Sequence, residues 1–197
     1  LTKVDYACAA GISGVPWDGV ELPSQYIEFF CYERNVVMQM SEHRENKQAL
    51  PDELYNKLIA SKNFQSAIGM LRQCEFSIWD LKTHLGVDDT YQVLAEVRKD
   101  TALMPSIKAS RFLNTFGHIF SGGYAAGYFS YKWAEVLAAD AYYYVQEQGG
   151  IGSQASLDFL HHILETGGSQ DFMLSYKAFR GKKPEINALL QSNGIVN

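Results

Sequence analysis

The chain has 197 residues, with 17 basic and 22 acidic side chains, a formal charge of -5, and 47% hydrophobic and 13% aromatic residues. This is enough apolar material for a globular core and is not the composition of a disordered chain. The net negative charge and scattered basic residues argue against a nucleic-acid partner, and no apolar run reaches membrane-spanning length.

Helical periodicity begins after Pro23. In "SQYIEFFCYERNVVMQM", Tyr26, Phe29, Phe30, Val36, Val37 and Met40 recur at helical spacing and predict one helix with a single buried face. "LPDELYNKLIASKNF" opens on Pro51 and acidic residues, a sound helix start. The next helix carries Ala67, Met70, Leu71, Cys74, Ile78 and Leu81, with Gly86 as its stop. "DDTYQVLAEVRKDTAL" follows and ends before Pro105, and residues 104–123 read as irregular. A long helical run is predicted from Tyr124 to about Gln148. "SQASLDFLHHILETGG" starts with Ser153 or Gln154 at the cap, and two further helices close the chain, the last stopped by Gly194. No strand pair or internal repeat is evident, so the fold class is all-α. Short linkers predict one helical unit, with a loop region over residues 1–20 and helices over 21–197.

Cys8, Cys31 and Cys74 lack the paired spacing of a zinc knuckle or a disulfide framework and suit a reducing compartment. His161 and His162 are adjacent, about 100° apart on a helix, and do not easily share a metal. His43 and His84 are isolated, and no His-x-x-x-His occurs in the chain.

Two constellations could carry chemistry. On a helix Tyr124, Tyr128 and Tyr131 would share one face, with Gly123 and Gly127 allowing close approach beside it and His118 in the glycine-flanked approach. A histidine and several phenols can donate to an oxyanion or grip a peptide carbonyl. The same spacing also fits a tyrosine-rich core helix at a tight glycine crossing. The second candidate is Glu21, one residue ahead of Leu22-Pro23, with Gln25 and Glu28 on the same polar face. It reads as an ordinary helix-start carboxylate or as a metal ligand, and one carboxylate does not make a zinc site.

Taken together, "GISGVPWDGVELPSQYIEFFCYE", "KNFQSAIGMLRQCEFSIWD", "FGHIFSGGYAAGYFSYKWAEVLAADA" and "GGSQDFMLSYKAFRGKKPEINALL" closely resemble the C-terminal part of the thimet oligopeptidase and oligopeptidase A family of zinc metallopeptidases. The resemblance spans essentially the whole chain, with the four blocks in order. It implies a helical part of a zincin-like catalytic domain with a deep channel that admits short peptides. A His-Glu-x-x-His helix supplies two zinc ligands and the general base in that family. The third ligand, the Glu of "VE-x-PSQ", matches Glu21 in "VELPSQ".

The resemblance also implies that His118, Tyr124 and Tyr131 stabilise the tetrahedral intermediate. Tyr128, Gly122 and Gly123 would line the substrate site, and residues 11–19 would form a mobile active-site loop. Phe129 stands where relatives often carry a second consecutive Tyr. The His-Glu-x-x-His motif is absent from these residues.

The expectation is therefore a C-terminal fragment of a zinc-dependent oligopeptidase that acts on short peptides. One zinc ion is expected per intact enzyme, with the missing N-terminal part as partner and no nucleic acid or membrane involved. Alone, the fragment is expected to be inactive and to bind zinc poorly. A cytosolic compartment is expected, an organellar one being compatible. The alternatives are a peptidyl-dipeptidase of the same superfamily and a non-catalytic helical peptide-binding domain.

Overall fold

A computed structural model describes residues 1–196, which are helical with no strand among them. In chain order the helices are α1 (Leu22–Phe30), α2 (Arg34–Met40), α3 (Asp52–Lys62), α4 (Ser66–His84), α5 (Thr90–Thr101), α6 (Phe112–Thr115), α7 (Ser130–Glu147), α8 (Gln154–Phe159), α9 (Phe172–Arg180) and α10 (Asn187–Ser192). A 3₁₀ turn covers Gly117–Ile119, and a π-helical turn over Leu160–Leu164 continues directly from α8. The chain groups into two compact units, residues 1–64 with 133–197, and residues 65–132. None of the helices described is long and apolar enough to cross a membrane.

Local chemistry explains several helix ends. Asp89 accepts hydrogen bonds from the N–H groups of Tyr91 and Gln92 at the start of α5, Ser153 accepts one from Ser156 at α8, and Asp171 accepts one from Leu174 at α9. Each satisfies donors that a first helical turn leaves orphaned. Gly181 and Gly194, with φ of +79° and +65°, end α9 and α10 in the left-handed region that glycine enters without steric cost.

In the first unit, Leu22 and Tyr26 of α1, Leu137, Ala138, Ala141 and Val145 of α7, Phe159 of α8, and Phe172, Tyr176 and Phe179 of α9 form one core. Tyr26 stacks on Phe159 with ring centroids 4.0 Å apart. Within this core Asp140 is 5% exposed. It accepts hydrogen bonds from the Tyr176 hydroxyl at 2.7 Å and from Arg180 Nε and Nη2 at 3.0 and 3.1 Å. Arg180 also lies over the Tyr144 ring. A buried carboxylate is tolerable only with such partners.

The single helix predicted over residues 24–40 is two. Its backbone tightens to i→i−3 bonds at Cys31, Tyr32 and Glu33, and Glu33 becomes extended at ψ 127°. There the Glu33 carboxylate receives the Tyr142 hydroxyl and the Gln146 side-chain amide. This tertiary hydrogen bonding holds Glu33 in its extended geometry. α2 consequently buries no residue.

In the second unit α4 and α5 pack together around Phe76, Trp79, Val93, Val97, Leu113, Ile119 and Tyr128. Trp79 is fully buried and donates its indole N–H to the carbonyl of Thr90 at 3.1 Å.

Candidate active site

The second unit holds the aromatic candidates. Tyr131 sits in the first turn of α7, but Tyr124 and Tyr128 precede that helix in a run of turns. The predicted helix from Tyr124 therefore begins six residues late, at Ser130. Two features prevent an earlier start. Gly123 and Ala126 take positive φ, +86° and +52°, outside the helical region. The Asp80 carboxylate takes the N–H groups of Ala126 and Tyr128 at 3.0 and 2.9 Å.

The side chains converge all the same. Tyr124 and Tyr131 stack at 4.9 Å between centroids, Tyr128 lies 5.3 Å from Tyr131, and His118 lies 5.7, 5.8 and 6.0 Å from Tyr124, Tyr128 and Tyr131. One histidine and three phenols thus share one patch, made by a loop folding back on itself rather than by a helix face. His118 is exposed, Tyr124 and Tyr131 are half-buried, and Tyr128 is buried. Burial, with the neighbouring Tyr131 adding to it against Arg72, raises the Tyr128 pKa. Its phenol donates to Gln73 Oε1 at 3.0 Å.

The glycines have distinct duties. A Cβ on Gly122 would stand 2.9 Å from the His118 carbonyl oxygen, so only glycine lets the chain return this close to His118. Gly123 faces open space, and its requirement is the positive φ and not the close helix crossing expected from its spacing with Gly127. The Tyr124 N–H closes the turn onto the His118 carbonyl at 3.1 Å.

Glu21 lies in the first unit, in the cap position of α1, half-buried. Its carbonyl accepts the Gln25 N–H and its carboxylate Oε2 accepts the Ser24 hydroxyl at 2.8 Å. Pro23 follows early in the helix, where its missing N–H costs nothing. The loop ahead of Glu21 is clasped by a distant part of the same unit. The Gly168 N–H donates to the Ala9 carbonyl at 2.9 Å, and a Cβ on Gly168 would collide with the Ser13 carbonyl oxygen at 2.4 Å. A Cβ on Gly19 would meet the Phe172 ring at 2.4 Å.

As a metal centre these residues do not suffice. Among the described residues no group of three His, Cys, Asp or Glu side chains could hold an ion, and Glu21 offers one carboxylate where a catalytic zinc takes three protein ligands. Three of the other histidines have local partners: His161 Nδ1 meets Glu165 at 2.9 Å, His84 Nδ1 meets Asp80 at 2.8 Å, and His43 Nδ1 accepts backbone N–H groups.

Sequence reasoning missed Asp80, which is fully buried and shapes the aromatic loop. The available signal was a carboxylate four residues after Phe76 and next to Trp79, on the apolar side of α4. Gln73, the partner of the Tyr128 hydroxyl, gave no such signal.

The family model described as Peptidase family M3 matches residues 1–195. The chain belongs to peptidase family M3. It is 44% identical over 200 residues to the oligopeptidase A of Salmonella typhimurium, an alignment covering 99% of this chain and 29% of that protein. Oligopeptidase A of Haemophilus influenzae is 44% identical over 202 residues, covering 100% of this chain and 30% of the relative. The dipeptidyl carboxypeptidase of Escherichia coli is 34% identical over 198 residues, covering 96% and 29%. The chain therefore spans less than a third of the length of these M3 relatives.

Proposed function

We propose that the chain is part of a zinc-dependent oligopeptidase that hydrolyses internal bonds of short peptides. The observation that carries this reading is the convergence of accessible His118 with Tyr124 and Tyr131 in a member of a peptidase family. These three groups donate hydrogen bonds to the substrate carbonyl oxygen as it gains negative charge. One such donor is typically worth about 2.7–4 kcal/mol. Tyr128, anchored on Gln73, and the Gly122-Gly123 backbone line the peptide.

Glu21 occupies one ligand position of the zinc ion in this reading, and the remaining ligands and the general base come from polypeptide outside these residues. When bound, the ion supplies Lewis-acid polarisation of a carbonyl and a water. Alone, the chain takes up zinc weakly and cleaves no peptide. Tight stoichiometric uptake in a calorimetric titration would contradict this division of ligands.

The decisive test is Tyr131→Phe in the full-length enzyme, assayed on a quenched fluorescent peptide. The expected result is a loss of about 10²–10³-fold in kcat with little change in KM. An unchanged kcat removes Tyr131 from the chemistry. The similarity to dipeptidyl carboxypeptidase supports a second reading, removal of dipeptides from a peptide end. Cleavage mapping on peptides of graded length separates the two.

A further inference from the structure

The second unit contains a cavity of about 570 Å³ that the peptidase reading does not use. Its lining includes Arg72, Arg98, Lys108 and Arg111 and no acidic residue. That volume is in the range of sites that take small ligands or a few side chains. Beneath it lies Glu75, whose side chain is 2% exposed and which receives a guanidinium N–H from both Arg72 and Arg98.

The cavity is therefore built from the inside. The buried Glu75 carboxylate fixes two guanidinium groups, and it offsets only one of the four positive charges. Arg98 also donates to the Met104 carbonyl at 3.1 Å, which ties the 104–111 loop to α5. Arg72 lies over two rings, its guanidinium carbon 4.3 Å from the centroid of Phe76 and 5.0 Å from that of Phe112. Arg111 donates to the adjacent Ser110 carbonyl, and Lys108 has no ion-pair partner among the described residues. Three uncompensated positive charges thus collect in one cavity of a chain whose total charge is -5.

The remainder of the wall, Leu94, Ala95, Pro105, Ile107 and Phe112, is apolar. A bare inorganic anion would satisfy the guanidinium groups and leave that wall wet. A polypeptide segment with carboxylates interleaved among apolar side chains matches both halves. We propose that this cavity is a docking site for an acidic, partly apolar polypeptide segment. The inference does not depend on the peptidase reading, because its test reads binding alone.

The probe is a fluorescein-labelled hexapeptide of alternating glutamate and leucine, titrated with the chain by fluorescence anisotropy, beside its glutamine counterpart. The glutamate peptide binds and the glutamine peptide is weaker by about tenfold or more. The pair Lys108→Glu/Arg111→Glu, on an exposed loop, weakens the glutamate peptide by about tenfold or more with helical circular dichroism unchanged. The charge-matched control Lys177→Glu/Lys183→Glu, in the other unit, leaves it intact. Equal affinity for the two peptides, or equal weakening by both pairs of reversals, overturns the proposal. So does calorimetric binding of inorganic pyrophosphate under conditions where the glutamate peptide itself fails to bind.

Discussion

Asp80 and Asp140 are both buried aspartates, and they are spent in opposite ways. Asp140 is surrounded by side chains, the Tyr176 hydroxyl and the Arg180 guanidinium, and it joins α7 to α9. Asp80 takes the backbone N–H groups of Ala126 and Tyr128 beside the His84 ring on its own helix, and its main-chain bonds join α4 to a loop that would otherwise propagate as helix. The first arrangement fixes helices and presents nothing to solvent. The second holds a turn in a shape that leaves His118 exposed and Tyr124 and Tyr131 half-open. A buried carboxylate thus becomes a stability device or a site-shaping device according to whether side chains alone satisfy it or loop main chain is held as well.

The comparison is broken most strongly at Asp140. Asp140→Ala strands Arg180 at a mostly buried position, and the expected loss is about 3–5 kcal/mol in unfolding free energy by urea titration. Next is Asp80→Asn, in which an amide replaces one acceptor and leaves a loop N–H unmatched, for an expected loss of about 1–3 kcal/mol. This variant should also disturb the Tyr124–Tyr131 stack, read as altered tyrosine ring shifts by NMR, whereas Asp140→Ala in a still-folded background should not.

The smallest effect at neutral pH concerns the tyrosines of the Asp140 unit. Burial pushes the Tyr26 pKa up to about 12, and burial with the nearby Asp140 carboxylate raises Tyr176 further. The folded state therefore holds these protons more tightly than the unfolded chain. Their contribution is complete below the ordinary phenol value of about 10 and is lost as pH rises toward the folded values. Denaturant midpoints should be flat to pH 9 and fall between about pH 10 and 12. Tyr26→Phe should make that fall shallower.

What could be read from sequence follows the range of the interactions involved. Helix starts and stops at Pro51, Ser153, Gly86 and Gly194 depend on neighbours within a few residues, and they stand where the local chemistry places them. The break between α1 and α2 depends on Glu33 meeting Tyr142, 109 positions away, and the loop at 124–129 depends on Asp80, 46 and 48 positions away. Helical periodicity carries no record of such partners. The grouping of His118, Tyr124, Tyr128 and Tyr131 was legible because the family resemblance named the residues. The helix face offered as the reason for it was wrong, since two of the three tyrosines precede the helix.

The clasp between residues 9–19 and residues 167–172 binds the history of one segment to that of the other. No side chain fits at Gly168, and Gly19 admits none while Phe172 is opposite. Drift on one side is therefore permissible only with a matching change on the other. A graft of the 9–19 loop from an M3 relative should misplace Glu21, and one that also carries the relative's 167–172 segment should restore it. The placement of this carboxylate thus rests on a pair of distant segments rather than on a contiguous stretch.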